Sequence, residues 1–143
     1  MNISFKEFNK IIGQIDSTYH EAALKLNLTD SEFDILYVLC AHEPGCCQSV
    51  LYKETWMTKS TANSAINKMK KADILYLKPG SGRNTLVYLT DKGKQLAHET
   101  VYKIIQMENE IYESWSRDEQ ELFITLNKDY ADKLSAMVDN LTV

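Results

Sequence analysis

The sequence predicts a mainly α chain carrying one small β-hairpin. Three observations lead there. Apolar residues recur at helical spacing over almost all of the 143 residues. Ser4-Phe5-Lys6-Glu7, Thr29-Asp30-Ser31-Glu32 and Ser116-Arg117-Asp118-Glu119 each have the form of a capping box, in which a hydroxyl and a carboxylate satisfy each other's free backbone N–H groups at a helix start. Only the stretch KPGSGRNTLVYLT at 78–90 breaks the pattern, with four turn formers, an arginine and then a strand-like run.

The first capping box opens a helix over about 4–27, with Phe5, Phe8, Ile12, Ile15, Tyr19, Ala22, Ala23 and Leu26 along one stripe. The second opens a helix bearing Phe33, Leu36, Leu39 and Cys40, which His42-Glu43-Pro44-Gly45 brings to an end. A short helix at about 47–54 turns on Val50 and Leu51, and Thr55-Trp56-Met57 forms a tight connection. Thr58 caps the next helix, Lys59 to Ala72, which buries Ala62, Ala65, Ile66 and Met69 and leaves its polar residues to solvent. Asp73 suits a left-handed helix end. Strands are expected at Ile74–Leu77 and Thr85–Leu89 around the turn Pro79-Gly80-Ser81-Gly82. Thr90 then caps a long helix over about 91–114, and Ser116 a last one that runs to the C-terminus. The expected order is α-α-α-α-β-β-α-α.

A hydrophobic fraction of 44% and a charged fraction of 25% suit an ordinary globular protein of one domain, 1–143. No apolar run has the length of a membrane span, and the N-terminus lacks the features of a signal peptide. Three cysteines, an odd number, point to a reducing cytoplasm rather than a disulfide framework. The net charge of −4 hides a division. Between Lys53 and Lys94 lie nine basic and three acidic residues, a local +6, which leaves −10 on the remainder. A positive face on an acidic body can steer a polyanion, because the local field acts on it more than the net charge does.

Two short helices joined by a tight turn and followed at once by a two-stranded ribbon form a winged helix-turn-helix, whose second helix enters the major groove of DNA. The hairpin is then the wing, and Arg83 can reach phosphate or a narrow minor groove. The sequence resembles the MarR family of bacterial transcriptional regulators through LTDSEFDILYVL at 28–39, TKSTANSAINKMKKADIL at 58–75 and RNTLVYLTDKG at 83–93. That resemblance implies a homodimer built by terminal helices (1–27 and 116–143), a DNA-binding region at 28–90 and a connecting helix at 91–115. It implies a cytoplasmic regulator, in most members a repressor, that binds a pseudo-palindromic operator in double-stranded DNA and is released by a small aromatic effector or by cysteine oxidation. This chain departs from the family pattern at Ser81, where an aspartate usually pairs with the wing arginine. It departs also at Asp73, where a glycine is common, at Tyr52, where a small residue is expected, and at Trp56 in the turn.

The residues expected at DNA are Lys59, Ser60, Thr61, Asn63, Ser64, Asn67, Lys68, Lys71, Lys78 and Arg83. Asparagine can pair with both N6 and N7 of adenine, and the lysines neutralise phosphate. Tyr19, His20, Phe33, Tyr37 and Trp56 are candidates to line an effector crevice. Cys46 and Cys47, near a helix start whose dipole lowers a thiol pKa, are candidates for redox sensing. The three histidines are scattered, so no metal site is expected, and no cofactor. An enzyme is disfavoured, since the sequence has no glycine-rich phosphate loop, nucleophile elbow or catalytic dyad. Two alternatives stay open: a winged-helix module that binds protein instead of DNA, and a cysteine-based redox regulator.

Overall fold

The computed structural model describes residues 3–43 and 45–142. Pro44, expected to help end the second helix, lies outside them. The elements are α1 (Ile3–Lys25), α2 (Asp30–Ala41), β1 (Gly45–Cys47), α3 (Gln48–Thr55), α4 (Lys59–Lys71), β2 (Leu75–Pro79), β3 (Thr85–Leu89), α5 (Asp91–Glu99), α6 (Val101–Glu113) and α7 (Arg117–Asp139). The chain divides into two compact units, one ending at Ile105 and one beginning at Gln106.

In the first unit the expected caps form. The Thr29 hydroxyl accepts from the Glu32 N–H at 3.1 Å, and the Glu32 carboxylate accepts from the Thr29 N–H at 3.4 Å. Thr58 and Thr90 cap α4 and α5 through the hydroxyl alone, accepting from the N–H groups of Thr61 and Gly93. Ser4 is different: α1 already includes it, so it stands within the helix and not ahead of it. At the other end of α1, Asn27 takes the left-handed conformation, and the Leu28 N–H returns to the Ala23 carbonyl at 2.9 Å.

Two further features differ from the sequence expectation. Residues 45–47 form a strand, giving an antiparallel sheet of order β1-β3-β2 in which Cys46 faces Val87 and Leu77 faces Val87 from the other side. A three-residue strand whose partner lies some forty residues on has no local signature. The helix expected over 91–114 is broken at Thr100 (φ −122°, ψ −93°). The Thr100 hydroxyl donates to the Leu96 carbonyl at 2.6 Å, the acceptor its own N–H would use in an unbroken helix, and that N–H turns to Ala97 instead.

The core gathers Ile35, Leu36 and Leu39 of α2, Leu51 of α3, Ile66 and Met69 of α4, Leu75, Val87 and Val101. Each of these is fully buried, so α4 is held by its apolar face against the same core that carries the sheet. In the second unit, the Ser116–Glu119 capping box starts α7, and Trp115 packs on Tyr112 and Phe123. No residue of α7 is buried, although Leu122, Phe123, Leu126, Leu134, Met137 and Val138 recur along it.

Candidate nucleic-acid interface

α4 divides into a buried apolar face and an exposed polar one. Ala62, Ala65, Ile66 and Met69 are buried, while Lys59, Ser60, Thr61, Asn63, Ser64, Asn67, Lys68 and Lys71 are all exposed. Its start is set by Thr58, whose hydroxyl accepts from the Thr61 N–H at 3.2 Å and donates to the Thr61 hydroxyl at 2.9 Å. Its end is tied to the next helix: the Thr90 hydroxyl donates to the Asp73 carbonyl at 2.6 Å and Lys92 Nζ to the Ala72 carbonyl at 2.9 Å. Gly93 sits so close beneath that a Cβ there would lie 1.9 Å from the Ile74 carbonyl oxygen. The run LTDKG at 89–93 therefore clamps the end of α4 to the sheet. Asp73 is left-handed (φ 61°), as expected where glycine is commoner.

The two asparagines differ. Asn63 Oδ1 accepts hydrogen bonds from Gln48 Nε2 at 3.0 Å and from the Tyr52 hydroxyl, so α3 holds its carbonyl end and only the amide N–H groups remain to donate. Asn67 has no side-chain hydrogen bond among the described residues, and both ends of its amide are available. This network escaped the sequence reading; Gln48 and Tyr52, four apart on α3, were its only local sign.

On the wing, Gly82 has φ +67°, a conformation that costs an ordinary residue and lets the chain reverse before Arg83. Arg83 is exposed and makes no ion pair among the described residues. With Ser81 where an aspartate would hold it, its guanidinium stands free for an outside anion. Lys78, at 5.7 Å from each of the stacked Tyr76 and Tyr88 rings, rests over them and remains exposed.

The effector candidates separate. Tyr19 and His20 of α1 and Phe33 of α2 line a cavity of about 210 Å³ together with Asp16, Asp30 and Asp34. His20 Nδ1 lies 2.9 Å from both carboxylate oxygens of Asp30. Burial, and then the charge of Asp30, push the Asp34 carboxyl up to about 6. Tyr37 is stacked on Phe33 at 6.2 Å and does not line the cavity. Trp56 does not line the cavity either: it is the left-handed C-cap of α3 and is exposed. The thiol expectation reverses at Cys46. Burial in β1 first, with Glu54 and Cys47 adding to it, pushes its thiol up to about 11, the opposite of an activated cysteine. Among the described residues no group of His, Cys, Asp or Glu is arranged to hold a metal ion, and no helix is long and apolar enough to cross a membrane.

Residues 26–83 match the model of the MarR family. Among curated protein sequences, none matches the chain. The solved structures agree in fold. A MarR family regulator from Neisseria meningitidis is 18% identical with a TM-score of 0.79, covering 99% of this chain and 100% of that one. A MarR family regulator from Silicibacter pomeroyi is 20% identical with a TM-score of 0.71, covering 91% and 89%. The PcaV transcriptional regulator from Streptomyces coelicolor, solved with its natural ligand, is 21% identical with a TM-score of 0.62, covering 85% and 89%. Residues 26–83, which hold the helix-turn-helix and the start of the wing, thus match the MarR family model, and nearly the whole chain shares the winged-helix fold of solved MarR family transcriptional regulators.

Proposed function

We propose that this protein is a cytoplasmic, sequence-specific repressor that binds a pseudo-palindromic operator in double-stranded DNA as a homodimer. The observation that carries the reading is the division of α4: one face sunk in the core, the other wholly polar and basic, beside a wing whose arginine makes no ion pair among the described residues. A helix so divided can lie in a major groove, with Asn67 reading adenine, Lys59, Lys68 and Lys71 at phosphates, and Arg83 beyond them. The dimer is supported by the apolar residues left exposed on α1 (Phe5, Ile12, Ile15) and along α7. Covering one such side chain is worth roughly 1.5–3 kcal/mol, and a second copy with the same faces covers them in pairs.

Release by a small ligand is supported by the α1–α2 cavity, with Tyr19 and Phe33 as flat walls for an aromatic effector. The ligand-bound state of the PcaV relative is in keeping with this. Asp16, Asp30 and Asp34 around the opening select against an anionic effector. The test is a selection from sheared source DNA at near-physiological salt. Recovery of a two-fold symmetric site with half-sites about 34–36 Å apart is the expected result. Recovery of nothing above background, with no binding of any duplex even at low salt, would replace this reading with that of a protein-binding module.

A further inference from the structure

Trp56 has no local reason to be where it is. It closes α3 at φ 58°, ψ 15°, a backbone position that favours glycine or asparagine. The residue is 89% exposed, the most of any large apolar residue described. It belongs neither to the core nor to the α1–α2 cavity. An indole held out in water from a turn that disfavours it is explained by something outside the chain.

Its surroundings say what that is. Trp56 stands two residues before Thr58, the cap of α4. It follows directly on α3, whose Gln48 and Tyr52 side chains reach Asn63 on the exposed face of α4. Three residues to either side are Lys53 and Lys59, both exposed and without an ion pair among the described residues. The nearest acidic residue in sequence, Glu54, has its carboxylate 2.5 Å from His42 Nε2. The partner is therefore anionic and adjoins the recognition helix. An indole offers one flat apolar face and one N–H donor with no acceptor, which suits a deoxyribose with its phosphate oxygen. A protein groove would call for broad neighbouring apolar surface, and the exposed residues within three of Trp56 are Lys53, Glu54, Thr58 and Lys59, with only the half-buried Met57 apolar among its neighbours in sequence.

We infer that Trp56 is a further DNA contact of this chain, its ring laid on the sugar–phosphate backbone beside the recognition helix and its Nε1–H donating to phosphate. The inference rests on the DNA-binding reading above. Because the chain has two tryptophans, Trp115→Phe leaves Trp56 as the sole one. That variant is titrated at low salt with a labelled mixed-sequence duplex of about 30 base pairs, long enough for two half-sites. Tryptophan emission should change in step with the anisotropy of the duplex. Trp56→Gly, which relieves the backbone, should stay folded and bind the same duplex roughly fivefold to tenfold more weakly. Its dependence on salt should be unaltered, because no charge has been removed. Unchanged emission while anisotropy reports saturation overturns the inference and leaves the DNA reading standing. Absence of duplex binding by the unaltered chain overturns both.

Discussion

A side chain's availability is set by what its neighbours leave unused, and this separates residues of one type. Asn67 has no side-chain hydrogen bond among the described residues, whereas Asn63 gives its carbonyl to Gln48 and Tyr52. Asn67→Ala should therefore relax base preference at one position of the selected site by about 1–3 kcal/mol, and Asn63→Ala should weaken all sites alike. Equal loss of preference in both variants, read from repeated selections, would contradict the assignment. Arg83 acts through charge: Arg83→Ala should lower affinity on every duplex and reduce the salt slope by about 1. An unchanged slope removes it from the interface.

Asp34 shows the same logic inside the cavity. Its folded carboxyl, at about 6, binds its proton more tightly than in the unfolded chain, where 3.8 is ordinary. Ionising it thus opposes folding: the penalty is absent below the unfolded value, grows as pH rises through this interval and is complete above about 6. The gain in denaturation midpoint of Asp34→Asn over the parent should grow from pH 4 to pH 6 and then level off. A gain that shrinks over that range would show that the site is not a buried acid.

Elements are held in place here by short backbone approaches more than by their own propensity. The LTDKG run joins β3 to α5 and, through Thr90, Lys92 and Gly93, fixes the end of α4. Gly93→Ala places a methyl group against the Ile74 carbonyl and should cost about 2–4 kcal/mol of stability, visible as a lowered thermal midpoint. A midpoint within a degree or two of the parent would mean that α5 shifts freely, and the clamp would be no clamp. The break at Thr100 is likewise local in cause. A buried hydroxyl takes the carbonyl that the helix needs, so one amphipathic pattern becomes two helices.

For the molecule as a whole, the exposed apolar stripe of α7 is far more than a soluble monomer needs to show. If a second copy covers it, Leu134→Glu buries a charge at the interface and should convert the dimer to monomers at micromolar concentration, with operator affinity falling accordingly. Sedimentation of the variant as an unchanged dimer would place the interface elsewhere. The charge division belongs to this scale too. The +6 segment holds the α4 face and the wing, so association should slow steeply with salt even though the protein is acidic overall.

What the sequence determined by itself are the features with a short-range cause. Caps at Thr29, Thr58, Thr90 and Ser116, the left-handed Asp73, the buried and exposed faces of α4 and the wing arginine all follow from spacings of four residues or fewer. Periodicity reports which face of a helix meets the core, and hence which face is left to solvent. Other features depend on partners distant along the chain. β1 exists because β3 pairs with it, Asn63 is occupied because α3 crosses α4, and Asp34 is hard to ionise because α1 and α2 enclose it with Asp30. Trp56 is the clearest case. As one aromatic among others it read as a wall of the effector crevice, and only the backbone turn at the end of α3, which points it out of the fold, separates it from Tyr19 and Phe33. A sequence carries the period of an element and the residues at its ends, whereas which surfaces remain uncovered is settled by packing, where contacts across tens of residues compete for the same space.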